Sequence, residues 1–256
     1  MTDVTVLTDA EGTFATMRQA FGVPDDSAWW LPFNAFLART PGLTVLVDTG
    51  VGPPGGTDPF LQDRAGRLPQ LLAAAGVEPA DVDLVVHTHL HVDHVGWNMV
   101  DAAPTFPNAR YLAHRSDYDN FTSKNPDRRY VRDQLVALHA TGRLELFDDS
   151  FSPAPGVDIE HAPGHTAGHC VVTVGDTTFL GDLAVHELQL ADPGVAYMFE
   201  EDPAAAAERR REILPGLAAA GGPVAVPHLG LGRIVRAGEG FGWSPLAEES
   251  SGAASN

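Results

Sequence analysis

The stretch THLHVDHVGWN, residues 88–98, places three histidines and an aspartate within six positions. It follows VDLVV, a run of apolar and β-branched residues that reads as a strand covered on both faces. A strand buried on both sides belongs to a layered α/β arrangement, and in such folds site residues gather at strand ends. On an extended segment His89 and His91 share a face. Asp93 and His94 then fall in a turn that can redirect them. The stretch can therefore give two imidazoles to one metal ion, and a carboxylate with an imidazole to a second. Each ion still lacks partners, because zinc takes about four ligands.

The rest of the chain offers them in matching contexts. His165 in APGHTAGH, Asp182 in FLGD and His228 in VAVPHLG each follow an apolar run and sit beside Gly or Pro. Two hairpins share one plan. Residues 33–50 turn at Pro41-Gly42 and reach Asp48, and residues 169–182 turn at Gly175-Asp176 and end in Asp182. Two similar halves, each delivering a carboxylate to one edge, are expected. Helices are expected at RLPQLLAAA, closed by Gly76, and at DRRYVRDQLVALHATG, stopped by Gly142. A third opens at the capping Asp202-Pro203 and is expected to end at Pro215. ARYLAH reads as a strand, and residues 186–202 show no clear periodicity. The segment from 246 to 256 is rich in Ala, Ser, Glu and Gly and reads as a disordered tail after one domain at 1–245.

Composition narrows the partners. The 256 residues carry a formal charge of −18, with Lys124 the sole lysine. Such a surface repels phosphate backbones and anionic membranes, so nucleic acid and membrane are excluded as partners and a small-molecule substrate is expected. Cys170 is the one cysteine, so no internal disulfide forms. No secretory signal is visible in the N-terminal residues, and a cytoplasmic protein is expected. Nothing in the chain fixes the oligomeric state, although a homodimer is compatible with it.

The ordered pattern His-x-His-x-Asp-His, Gly-His, Gly-Asp and a late His, preceded by VDTG at 47–50, resembles the metallo-β-lactamase superfamily of metal-dependent hydrolases. The resemblance implies an αββα sandwich, two mixed β-sheets packed face to face with helices outside. It implies that His89, His91 and His165 hold one metal ion, that Asp93, His94 and His228 hold the other, and that Asp182 bridges them. Asp48 would orient the ligands by hydrogen bonds. Two Zn2+ ions are expected, with Fe, Mn or Co as alternatives for this nitrogen and oxygen donor set. The redox di-iron branch of the fold carries Glu where this chain has His91, which favours hydrolysis.

The resemblance is to the single-domain lactonases and esterases, and it implies attack by a metal-bridging hydroxide on a small lactone or carboxylic ester, with Asp93 relaying the proton. The alternatives are a glyoxalase-II-like thioesterase, of which Arg233 and Arg236 in GRIVR are a weak echo, a phosphoester or organophosphate hydrolase, and an iron-dependent redox protein. One position departs from the pattern: many acyl-homoserine lactonases carry Tyr three residues after the bridging Asp, where this chain has Val185. His186 is a candidate catalytic residue because it follows Asp182 closely. Trp29, Trp30, Tyr197, Met198 and Phe199 are candidates for a pocket wall. The remaining histidines, including His87 and His169, and Cys170 are read as packing or supporting residues.

Overall fold

Alternating apolar residues in the first third of the chain build a long antiparallel pair, β1 (Asp3–Thr16) with β2 (Ala28–Thr40), and β2 turns through Gly42 into β3 (Leu43–Val47). This computed structural model describes residues 2–54, 64–124 and 129–246. Three parallel additions follow: β4 (Leu84–Val86), β5 (Arg110–His114) and β6 (Leu144–Phe147). The six strands lie in chain order in one sheet.

The second sheet takes the rest of the chain: β7 (Phe151–Ala154), β8 (Val157–His161), β9 (Cys170–Val174), β10 (Thr177–Phe179), β11 (Val224–Val226), β12 (Gly230–Ala237) and β13 (Gly240–Pro245). These seven strands are also sequential neighbours, antiparallel except for the β10–β11 pair. The expected hairpins at Pro41-Gly42 and Gly175-Asp176 are both present. Each is followed by a parallel neighbour, so the two halves share a plan.

Phe36, Val45, Val47, Val86 and Leu112 of the first sheet meet Ile159, Val172, Val174 and Phe179 of the second in a buried layer. The opposite face of the first sheet packs on α2 (Leu68–Ala74) and α5 (Arg129–Ala140), through Leu68, Leu72, Val131, Leu135 and Leu138. The outer face of the second sheet packs on α7 (Pro203–Ala220) through Leu214. Helix, sheet, sheet and helix are therefore stacked, as the αββα expectation required.

Three expectations need correction. First, α7 does not stop at Pro215 but runs to Ala220 and is closed by Gly221 in the left-handed region. Pro215 removes one backbone donor. The Leu214 and Leu217 side chains on the second sheet and the good helix formers after Pro215 outweigh that loss. Second, Asp93 and His94 are not in a turn: α3 (Val92–Val95) carries both, with His91 at its N-cap. Third, Trp29 and Trp30 do not form one wall. Adjacent strand residues face opposite sides, so Trp29 is buried while Trp30 is 55% exposed. The expected tail beyond residue 246 lies outside the described residues.

The first strand, unassigned from sequence, does more than pair. A bulge at Asp9 interrupts its register with β2. The fully buried Asp9 carboxylate accepts from the backbone N–H of Val51, Arg67 and Leu68 and from Trp97 Nε1. It thereby ties β1 to the loop after β3 and to the start of α2. Gly96, at the end of α3, lies so close to this loop that a Cβ there would stand 2.1 Å from the Val51 carbonyl carbon. Asp9→Ala should leave several buried donors unpaired and cost about 3 kcal/mol. A thermal unfolding midpoint within a degree of the parent would contradict this account of Asp9.

Candidate metal centre

The parallel relations decide which strand ends meet. The C-terminal ends of β3 and β4 lie at one edge of the first sheet, and those of β8, β10 and β11 at the adjoining edge of the second. The loops leaving them carry Asp48, the 89–94 cluster, His165, Asp182 and His228. All seven expected metal-ligating residues are thus brought together, although they are separated by as many as 139 positions in sequence.

They form overlapping groups. His89 Nε2 is 3.0 Å from His91 Nδ1, which is 2.9 Å from His165 Nε2. Asp93, His94 and His228 form a second group, with Asp93 Oδ2 3.6 Å from His94 Nε2 and 3.7 Å from His228 Nε2. Asp182 lies between the two. Its Oδ2 is 3.4 Å from His165 Nε2 and 3.5 Å from His228 Nε2, and its Oδ1 is 3.6 Å from His94 Nε2.

Backbone shape supports this placement. Gly181 adopts a φ of 53°, and a Cβ there would stand 2.6 Å from His169 Nε2 and 2.7 Å from Thr88 Cβ. Only glycine lets the chain bring Asp182 so close to the histidine loop. His169 in turn bonds Ala162 O through Nδ1 at 3.1 Å, bracing the loop that carries His165.

Ring orientation is fixed from behind. Asp48 accepts from the Thr88 backbone N–H at 2.8 Å and from Thr88 Oγ1 at 2.7 Å, and its Oδ2 lies 2.8 Å from His94 Nδ1. His228 Nδ1 donates to Pro32 O at 2.8 Å. Both rings therefore turn Nε2 toward the carboxylates, the arrangement in which an outer acceptor orients a metal-ligating imidazole.

The charges ask for a cation. Asp48, Asp93 and Asp182 are all drawn out of water, and among the described residues no lysine or arginine pairs with any of them. Burial opposes ionisation of Asp48, yet the charges and hydrogen bonds of His94 and His87 hold its carboxyl at about 2. Burial also opposes a charge on His94, but Asp48, Asp93 and Asp182 push it up to about 10. Burial pulls His165 down to about 3 and His89 well below its ordinary value, so both stay neutral, the ligating state. His94 Nε2 and Asp182 Oδ1 are buried without a hydrogen-bond partner. Nitrogen and oxygen donors around three buried carboxylates, offset among the described residues only by imidazoles, fit a pair of divalent cations. No thiolate competes, because burial raises the Cys170 thiol well above its usual range and its Sγ donates to Gly168 O.

One residue that sequence reasoning passed over, Asp117, belongs to this region, as does Tyr197 of the expected pocket wall. Asp117, in α4 (Arg115–Asp119) just after β5, is fully buried and accepts from the Leu90 backbone N–H, Thr166 Oγ1 and the Gly168 backbone N–H. One carboxyl thus clamps the loop of His89 and His91 to the loop of His165. Its only sequence signal is an acidic residue directly after a buried strand. Tyr197 stacks on His165, with ring centroids 6.0 Å apart and planes 5° from parallel. It meets Trp29 edge-on at 5.8 Å and Phe21 at 5.6 Å.

His186 is absent from the metal-ligating groups. Its Nδ1 accepts from Leu188 N to cap α6 (Glu187–Ala191), and its ring lies against Phe21 at 5.2 Å and Trp29 at 5.9 Å. It joins the aromatic wall beside the centre, and that wall reaches His228 through Trp29 at 6.4 Å. The Arg233 and Arg236 side chains point to other uses: Arg233 donates to Gly221 O, and Arg236 lies over the Phe241 ring.

Loading the centre at neutral pH should expel the proton that the three carboxylates hold on His94, so zinc affinity should rise with pH toward about 10. Zinc titration calorimetry in two buffers of different ionisation heat should detect at least one proton released per chain; no release would remove His94 Nε2 from the ligand set. Asp117→Ala should free the two clamped loops and weaken metal binding about 10- to 100-fold, as loss of outer supports does elsewhere. Competition with a chelator measures this, and parental affinity would show that the loops hold without the clamp.

The metallo-beta-lactamase superfamily model matches residues 28–229. An N-acyl homoserine lactonase from Bacillus sp is 27% identical over 154 residues, 54% of this chain and 56% of that protein. The N-acyl homoserine lactonase AttM of Rhizobium radiobacter is 34% identical over 164 residues, 53% of this chain and 58% of that protein. The matches span little more than half the length of these relatives. Among solved structures, AidC, a dizinc quorum-quenching lactonase, superposes with a TM-score of 0.83 at 21% identity, over 96% of this chain and 95% of that one. The hydrolase AbOPH also reaches 0.83, at 22% identity over 97% and 95%. The likeness to the two structures shows a shared fold, and the family match covers most of the chain, including every residue of the centre: the chain belongs to the metallo-beta-lactamase superfamily.

Proposed function

We propose that this protein is a dinuclear, zinc-dependent hydrolase of a small lactone or carboxylic ester. The observation that carries the reading is Asp182, a carboxylate with one oxygen facing His165 and His228 and the other facing His94, as a shared ligand of two ions requires. His89, His91 and His165 would hold one ion, and Asp93, His94 and His228 the other. When bound, the pair would supply Lewis acidity and water acidified toward neutrality.

The chain's own groups do the remaining work. Asp93 sits at the rim of the centre, where burial raises its carboxyl above the usual range, so it is suited to accept a proton as the ester bond opens. Asp48 and Pro32 O keep His94 and His228 oriented with Nε2 toward Asp93 and Asp182, where the ions would sit. Phe21, Trp29, Tyr197 and His186 form an apolar wall that suits an acyl or alkyl group and excludes water from one side. The lactonase relatives support a lactone as the substrate class. The engaged Arg233 and Arg236 give no support to a glutathione thioester.

The test is metal content and turnover on one sample. Near two zinc per chain and hydrolysis of lactones or esters, above thioesters and phosphotriesters, is the expected result. His89→Ala should lose metal and activity together, with kcat/KM down at least about a hundredfold. Two iron with no hydrolysis of any of the four classes would sink the proposal.

A further inference from the structure

Among the described residues Arg210 is the one lysine or arginine that is buried. Charged side chains are seldom buried completely, and a well-packed apolar pair often stabilises a core at least as well. Arg210 instead holds a segment whose only regular structure is the short helix α6. Its guanidinium donates to the carbonyls of Leu183, Pro193 and Val195 and is paired with the buried Glu200 carboxylate. Glu200 accepts in turn from the Tyr197 backbone N–H and from Gln189 Nε2. Gln189, also fully buried, donates to Val195 O and accepts from the Val185 backbone N–H. Three side chains thus satisfy five backbone groups between positions 183 and 197.

Both ends of that segment touch the centre. Leu183 directly follows Asp182, and Tyr197 stacks on His165. The helix that carries Arg210 holds the His165 loop as well. Ala206 lies four positions before Arg210 on α7, on the same face and about 6 Å away along the axis. Gly164, next to His165, packs so tightly on Ala206 that a Cβ there would stand 2.3 Å from the Ala206 backbone nitrogen. Just before the helix, the Glu201 and Asp202 backbone N–H groups donate to His165 O and Gly164 O. One face of α7 therefore meets the chain one residue before His165 and one residue after Asp182, and these two side chains stand 3.4 Å apart.

We propose that this face of α7 sets the separation of His165 and Asp182, and that Arg210 is its positioning residue. The bond from the guanidinium to Leu183 O fixes where Asp182 stands, and Glu200 and Gln189 tie the aromatic wall to the same support. A guanidinium suits the task because its planar fork reaches several acceptors in fixed directions, which an ammonium on a flexible stem does not. Arg210 bonds to none of the ligating side chains and acts through Asp182 and the wall. The inference rests on the hydrolase reading above and deepens it, so metal binding and turnover are read separately.

Arg210→Met combined with Glu200→Gln removes both charges together and leaves no lone charge buried. Arg210→Lys keeps the charge and loses the fork. The parent, these two variants and Arg211→Met, which removes an exposed cation at the next position, are compared. The readouts are zinc affinity by competition with a chelator, visible absorption of the cobalt(II)-loaded protein, thermal midpoint, and turnover of a lactone or ester. The double variant and Arg210→Lys should each bind zinc about 10- to 100-fold more weakly and show a shifted cobalt spectrum, while Arg211→Met matches the parent in both. A residue that merely stabilised the core would lower the midpoint and leave folded protein with parental zinc affinity and cobalt spectrum. That result in the double variant would overturn the role of Arg210; should the double variant not fold, the same result in Arg210→Lys would do so. An equal loss of zinc affinity in Arg211→Met would also overturn it, by assigning the effect to the charge of the helix. If the metal effects appear as expected and the parent hydrolyses no lactone or ester, the positioning role stands and the hydrolase reading falls.

Discussion

Everything at the centre depends on one electrostatic constraint: Asp182 is buried among imidazoles, with Asp93 and Asp48 close by and, among the described residues, no lysine or arginine paired with them. A buried carboxylate is costly unless paired, so the site is stable only when protons on histidines or bound cations supply positive charge. All four imidazoles are desolvated, which lowers them; His94 and His228 each face two or more carboxylates and are pushed up, while His89 and His165 face Asp182 alone and are pulled down. The His89 and His165 imidazoles thus stay neutral, while His94 holds a proton at neutral pH.

The scaffold answers this constraint with rigid supports. Asp48 holds Thr88 and His94, Asp117 ties the His89–His91 loop to the His165 loop, and Asp9 ties β1 to the loop that packs on α3. Each is a buried carboxyl whose lone pairs are taken up by several donors, and each joins segments distant in sequence. In Asp117 burial dominates and lifts the carboxyl to about 7, despite bonds from Thr166 and Gly168 that favour its charge. Asp48 shows the opposite balance, since His94 and His87 hold its carboxyl down at about 2 despite burial.

Much of this was legible in the residues. His89, His91, Asp93 and His94 are crowded into one segment, and His165, Asp182 and His228 each stand where an apolar run meets Gly or Pro, so the candidate ligands and the two-half plan can be read from local patterns. Asp117 and Tyr197 cannot be read that way. Asp117 looks like any acidic residue in the first turn of a helix, and Tyr197 lies in a segment without periodicity; both acquire meaning only from partners far along the chain. Pro215 misled in the opposite direction, because the local helix-breaking signal was overridden by packing on the second sheet.

The sequence by itself determined the donor chemistry, the strands that carry it and the sheet edge to which they deliver it, because hydrophobic periodicity and turn residues act over a few positions. Only the tertiary structure decided which nitrogen of each imidazole faces the centre, that Asp182 stands between the two histidine groups, and that Trp29 lines the aromatic wall while Trp30 faces solvent. These are set by hydrogen bonds and contacts between strand ends that the chain brings together only when the two sheets close on their common core.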